Sequence, residues 1–235
     1  PGAPITITRP GSYRLSGNIG YTVPGSGNQS LIEILVGGDE SVLLDLNGFA
    51  LTGSSPSACT FENSADGPNL QCPEIDAENG ISVAPVRPAP AFVGLTRGEV
   101  VIRNGSIAGF RGHGVNCESA CRVENLSLRR NVGWGVIGAD SVVASTASGN
   151  GLGGIFATAI RQSRASANAQ TGMRGTQIVD SVVDNTYRRN GIRATGVNAT
   201  MIDRVVVQDT AGIGAIAVTA LHSTIQRATT GLELQ

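Results

Sequence analysis

A glycine followed by one aliphatic residue returns along this chain at intervals near twenty residues. It appears as Gly80-Ile81, Gly114-Val115, Gly135-Val136, Gly154-Ile155, Gly172-Met173, Gly191-Ile192 and Gly231-Leu232, with Gly212-Ile213 filling the last gap. From Gly114 onward the spacings are 21, 19, 18, 19, 21 and 19. A period of that size in a chain of short β-prone segments predicts stacked coils, because each repeat can bury its apolar side only against its neighbours. A second track runs in phase: Ile102-Asn104-Ile107, Val123-Asn125-Leu128, Val142-Ala144-Ala147, Ile160-Gln162-Ala165, Ile178-Asp180-Val183 and Met201-Asp203-Val206. Each repeat therefore offers three short strands with tight turns between them. Helices are excluded by the abundance of Val, Ile, Thr, Ser, Asn and Gly without a sustained 3.6-residue period.

The expected fold is all-β: a right-handed parallel β-helix with three parallel sheets, about eight coils and an extended N-terminal cap. One β-helix domain, 1–235, is expected, with the cap at 1–30 and loop insertions at 53–73 and 84–97. Thirty-two glycines and 4% aromatic residues suit many turns around a narrow core. A net charge of −1 gives no drive toward nucleic acid. No apolar run is long enough for a membrane span. All seventeen basic residues are arginine, which removes mechanisms that need a lysine base or Schiff base. Cys59, Cys72, Cys117 and Cys121 allow three pairings, of which Cys59–Cys72 with Cys117–Cys121 is the simplest. Disulfides predict a secreted, periplasmic or cell-surface protein. The chain starts at Pro1, as a processed chain would, and its last coil reaches Gln235 without an evident cap, so continuation beyond it is expected.

The segments Gly11-Ser12-Tyr13-Arg14-Leu15-Ser16-Gly17-Asn18, Leu44-Asp45-Leu46-Asn47-Gly48-Phe49 and Ile102-Arg103-Asn104-Gly105-Ser106-Ile107 resemble bacterial parallel β-helix proteins of the pectate-lyase-like superfamily. The resemblance implies an asparagine-lined turn between the second and third sheets, at Asn104 and Asn125, and a substrate lying along the first sheet. Asp180, Asp203 and Ala144 depart from that asparagine pattern.

If the aliphatic residue after each glycine points inward, the next points out. The outward residues are then Ser82, Asn116, Ile137, Phe156, Arg174, Arg193 and Glu233. Arg174 and Arg193 are expected to stack on neighbouring coils beside Phe156, where paired cations would grip the carboxylates of a uronate-rich polymer. The bland alternative is that both are solvated or paired with Asp180 and Asp184. Gly112-His113-Gly114 resembles the Gly-His-Gly element of polygalacturonases, which would make His113 catalytic. The aspartate motifs of that family are missing, and only Asp76, Glu78 and Glu118 lie near in register. A β-elimination would need a base and a cation, the latter from Arg174 or Arg193. Trp134 either stacks on a sugar ring or joins the core.

The candidate catalytic residues are thus His113, Arg174 and Arg193, and the candidate substrate contacts are Phe156, Trp134, Asn116 and Glu118. No metal or cofactor is expected; calcium stays open as the alternative, without a clear ligand cluster to support it. The expected partner is a polysaccharide or cell-surface glycan. The expected function is recognition of an acidic polysaccharide along the first sheet, with lyase or hydrolase cleavage as its enzymatic form. The alternative is a non-catalytic structural or surface-interaction β-helix. An ice-binding array would need a flat threonine row, and Thr158, Thr176, Thr195 and Thr219 are too uneven. The sequons at Asn104, Asn125 and Asn198 coincide with repeat turns and read as turn chemistry.

Overall fold

The glycine of each repeat sits at the corner where the chain turns into the first sheet, and its missing Cβ is a steric requirement. In the computed structural model, a Cβ on Gly114, Gly135, Gly154, Gly172, Gly196 or Gly214 would lie 2.5–2.7 Å from the carbonyl oxygen of the corresponding glycine one coil on. The structure describes residues 4–20, 29–37, 40–54, 60–64, 67–74, 78–85, 98–189 and 194–234. They form no helix, only strands and turns, in the parallel β-helix expected.

Three ladders of inward side chains make the core. In the first sheet Ile32, Ile81, Val115, Val136, Ile155, Met173, Val197 and Ala215 follow one another in register. In the second, Leu44, Ile102, Val123, Val142, Ile160, Ile178 and Ile202 do so. In the third the column is Leu51, Ile107, Leu128, Ala147, Ala165, Val183 and Val207. All are almost wholly buried. Each side chain stacks on its counterpart about 4.8 Å away, so the core is a column of aliphatic contacts.

The register corrects three sequence expectations. The repeat glycines after Gly172 are Gly196 and Gly214, not Gly191 and Gly212, because the coil after Met173 carries extra residues, including Arg188–Arg189. The second-track triplet after Ile178 is accordingly Ile202-Arg204-Val207, one residue later than expected. Ile5–Ile7, Gly11–Arg14 and Ile19–Gly20 pair in parallel with the three sheets, so the supposed cap is itself a coil and the coil count departs slightly from eight. Within the insertion at 53–73, Thr60–Ser64 pairs antiparallel with Gly67–Gln71, whose Asn69 and Leu70 pair with Arg188 and Arg189. Asn69 and Leu70 therefore lie beside the corner between the third and first sheets. Cys117 is bonded to Cys121, and Cys72 is disulfide-bonded, while Cys59 lies outside the described residues.

The turns are held by two buried polar ladders. Between the second and third sheets the chain takes a left-handed residue at Asn104, Asn125, Ala144, Gln162, Asp180, Arg204 and His222. Outside glycine, Asn and Asp this conformation costs about 1–2 kcal/mol. The amides of Ala144 and Gln162 offset it by donating to the next coil at Arg161 O and Val179 O. Just beyond, Ser145, Ser163 and Ser181 stack: Leu126 N, Ser145 N and Ser163 N each donate to the serine hydroxyl one coil on. The asparagine ladder is elsewhere than the resemblance implied. Asn104 and Asn125 form only a single exposed pair, Nδ2 to Oδ1 at 3.1 Å. The buried ladder is Asn131, Asn150 and Asn168, all 0% exposed, in the turn between the third and first sheets. The next two coils place Thr186 and Thr210 in the same turn, but their buried hydroxyls have no hydrogen-bond partner among the described residues, so the bonded ladder ends at Asn168.

Candidate functional site

The outward column of the first sheet reads Thr6, Glu33, Ser82, Asn116, Ile137, Phe156, Arg174, Asn198 and Ile216 in register. Arg174 is flanked by Phe156 and Asn198. In register it is Asn198 that stands beside Arg174, at the position expected for Arg193, because that coil carries extra residues. Arg193 itself lies outside the described residues.

Toward the C-terminal coils three side chains make a staircase. Trp134 lies flat enough on Gly153 that a Cβ there would come within 2.3 Å of the indole. Its ring centroid is 5.8 Å from that of Phe156, and the Arg174 guanidinium carbon sits 4.9 Å above the Phe156 ring. Trp134 is only 8% exposed, so it supports Phe156 from below and offers little surface for a ring to stack on. The guanidinium is held by a cation–π contact. Among the described residues no carboxylate pairs with Arg174, whereas Arg103, Arg122, Arg164, Arg204 and Arg227 all have acidic partners. Beside this staircase runs a groove of about 320 Å³, with Ala157, Gly175 and Ala199 as floor and Thr158, Thr176 and Thr200 opposite Arg174 and Asn198.

Toward the N-terminal coils the same face opens into a cleft of about 880 Å³ that includes Glu33, Ser82, Asn116 and Glu118. Asn116 Nδ2 lies 3.4 Å from Glu118 Oε1, a long contact. Ser82 is 9% exposed, and its hydroxyl, which forms no hydrogen bond among the described residues, reaches solvent. Asn116 and Arg174 are three coils apart, about 14 Å along the axis. The structure thus brings Trp134, Phe156 and Arg174 together, and separately Asn116 and Glu118.

His113 ties the two regions. Its backbone N–H donates to Asn79 Oδ1 at 2.7 Å, and its Nδ1 accepts the Trp134 N–H at 2.9 Å. Burial lowers its pKa to about 4, so the ring is neutral at pH 7 and carries its proton on Nε2. The acceptor nitrogen is engaged, which leaves no lone pair for abstracting a substrate proton. His222 is exposed, with Nδ1 3.1 Å from Asp203 Oδ1. No group of three or more His, Cys, Asp or Glu among the described residues could hold a metal ion.

Sequence reading missed Glu33 and Asn198 as members of this face. Glu33 belongs to a coil earlier than the first counted glycine pair; extending the outward column back from Ser82 would have found it. Asn198 was hidden by the register shift, and only the choice of Gly196 over Gly191 reveals it.

A third groove, of about 450 Å³, lies off this face at the turn between the second and third sheets, beside Asn104, Asn125 and Ala144. A parallel β-helix with two grooves along its first sheet is therefore the class that fold and face define. No family model matches the chain, and no curated protein sequence does. The chain is similar to a solved structure, the A-module of mannuronan C-5 epimerase AlgE6 from Azotobacter vinelandii, over 99% of this chain and 88% of that one. The identity is 12% and the TM-score 0.30, too low for activity to be transferred. No helix among the described residues is long and apolar enough to cross a membrane.

Proposed function

We propose that this chain is a secreted member of the pectate-lyase-like superfamily that binds an extended acidic polysaccharide along the outer face of its first sheet. The observation that carries the reading is Arg174: a cation without an acidic partner among the described residues, propped on Phe156 over a small-residue groove. A guanidinium fixed by its face presents two parallel N–H donors, which match a uronate carboxylate. Asn198 and the threonines opposite supply hydrogen bonds to sugar hydroxyls, and the Ala–Gly–Ala floor lets the chain approach the backbone. Asn116 and Glu118 extend the face toward the N-terminal coils.

Binding without cleavage is the form the geometry favours, since His113 uses its acceptor nitrogen on the Trp134 amide. The test is calorimetry with oligogalacturonate and oligomannuronate against Arg174→Ala. Losing one charge-assisted contact of about 1.5–3 kcal/mol weakens binding roughly 10- to 100-fold. Unchanged affinity overturns the reading. Cleavage is tested separately, by screening for unsaturated products and new reducing ends with wild type and His113→Ala. Product that His113→Ala no longer forms would restore the enzymatic form of the reading.

A further inference from the structure

Arg174 is the one cation in the outward column of the first sheet among the described residues, and its neighbours on either side narrow what the groove can hold. Toward the N-terminal coils the column runs through Phe156 to Ile137. Toward the C-terminal coils it runs through Asn198 and Ile216 to Glu233. The opposite wall keeps the same order. Ala139 and Ser141 pair with Ala157 and Ala159, which puts Asp140 one coil before Thr158. Thr176, Thr200 and Val218 then follow in register. Asp140 is exposed, and neither it nor Glu233 forms an ion pair among the described residues. Val218 is 55% exposed.

A sugar unit of an extended chain is close to one coil spacing in length, about 4.8 Å. With one carboxylate on Arg174, the adjoining units lie over Phe156 and Asn198. The units after those lie over Ile137 beside Asp140 and over Ile216 beside Val218. Among the described residues none of these positions offers a cation. A second carboxylate two units away would lose water to an isoleucine on either side, and on one side would also meet the Asp140 carboxylate. Asp140 is two coils from the level of Arg174, about 10 Å, and Glu233 three coils, about 14 Å. Both distances exceed the Debye length of about 8 Å at physiological salt, so these acids weaken the hold of Arg174 little while opposing an anion beside themselves.

We infer, on the strength of the Arg174 reading, that the groove selects a heteropolysaccharide with isolated carboxylates: one uronate on Arg174, with at least two neutral sugars on each side. The neutral sugars lay their C–H faces on Ile137, Phe156 and Ile216, and their hydroxyls meet Asn198 and the threonines. A homopolymeric uronate satisfies one carboxylate here and leaves the others without a partner.

Calorimetry on the whole chain tests it with three probes of equal length. They are an oligosaccharide of gellan, whose linear repeat carries one glucuronate among four sugars, its carboxyl-reduced neutral form, and oligogalacturonate. The gellan oligosaccharide should bind wild type about 10-fold more tightly than either of the others, and Arg174→Ala should remove that advantage. Asp140→Asn combined with Glu233→Gln should narrow the gap between the two acidic probes to about 3-fold, by tightening oligogalacturonate. Oligogalacturonate that binds wild type as tightly as the gellan oligosaccharide, and weakens in Arg174→Ala, overturns the inference and leaves the Arg174 reading in place. A gap that the double variant leaves unchanged also overturns it. If Arg174→Ala changes the affinity of neither acidic probe, the Arg174 reading itself fails and the inference falls with it.

Discussion

Replacing Asn150 by alanine should be among the most damaging single changes in this chain, although the residue is small, polar and far from any groove. Asn150 Oδ1 accepts from both Asn131 N at 3.1 Å and Asn131 Nδ2 at 3.0 Å. Its Nδ2 donates to Leu128 O at 3.2 Å and Asn168 Oδ1 at 2.9 Å. In Asn150→Ala the Asn131 amide N–H, the Asn131 side-chain N–H and the Leu128 carbonyl all lose a partner in a 0% exposed turn, while Asn168 Oδ1 keeps the Asn150 backbone N–H. Each orphaned buried group costs about 1–3 kcal/mol. A water entering the small gap would recover part of that, so the expected loss is roughly 3–5 kcal/mol. Asn125→Ala is the matched control: it removes one exposed bond and adds a left-handed alanine, together about 1–2 kcal/mol. Urea unfolding with the slope compared between variants gives both values. Hydrogen exchange at the Asn131 amide reports whether the coil opens locally. A loss for Asn150→Ala no larger than for Asn125→Ala would refute the assignment of the buried ladder as the turn's main support.

Three further outcomes follow from the same geometry. Gly154→Ala places a Cβ 2.5 Å from Gly172 O and 2.8 Å from the Ala165 Cβ, so it should cost at least the roughly 1–3 kcal/mol of an overpacked core, whereas Gly17→Ala, with nothing within 4 Å, should change the urea midpoint little. His113 has a folded pKa of about 4 against 6.5 unfolded, so it contributes stability that is complete above pH 6.5 and is lost as pH falls toward 4. The contribution is at most about 3 kcal/mol, and a pH series should lose its slope in that window in His113→Gln. The carboxyls of Asp180 and Asp209, held down by hydrogen bonds from Arg204 and Arg227, lose their contribution only below the usual carboxylate range, which separates the two effects. Finally, removing the Cys117–Cys121 bond with paired alanines should cost about 2 kcal/mol by chain entropy, because the loop it closes is only four residues in separation. A larger loss in melts would mean that the bond also supports the cleft beside Glu118.

The fold was legible because stacking imposes the same demand on every coil. A glycine is needed wherever a Cβ would meet the next coil's carbonyl, and an aliphatic residue is needed one place later; both recur in the sequence. The count slipped where two glycine–aliphatic pairs compete within a few residues, Gly191-Ile192 against Gly196-Val197, since spacing alone cannot tell an insertion from a coil. It slipped again at Gly214-Ala215, where a small inward residue looked less like the motif than Gly212-Ile213. The buried serine and asparagine ladders left their period in plain view, at Ser145, Ser163 and Ser181 and at Asn131, Asn150 and Asn168. Polar residues at repeat spacing read as loop composition, however, until the backbone shows that they are enclosed. The site was half legible. Phe156 and Arg174 followed from alternation along the strand, while the Trp134 orientation and the His113 acceptor bond depend on packing that no period encodes.

What separates the first sheet from the other two is its outward column. On the second sheet Arg103 reaches Asp45 at 3.1 Å and Arg122 reaches Glu124 at 2.6 Å, so the outward charges satisfy one another along or across coils. Where the third sheet and its turns carry charge, Arg164 pairs with Asp184, and Arg227 with Asp209. These exposed pairs are worth little in stability, and Arg129, Arg130 and Asp140 form no ion pair among the described residues. The first sheet leaves Glu33, Glu118 and Arg174 without an ion pair among the described residues. Its inward column is as uniform as the others, yet its outward column changes character at almost every coil. A rod needs only the inward repeat, and an ice-binding array would need an outward one as well. An interior that is regular beneath an exterior that is irregular is what the proposed binding face requires and a bare rod does not.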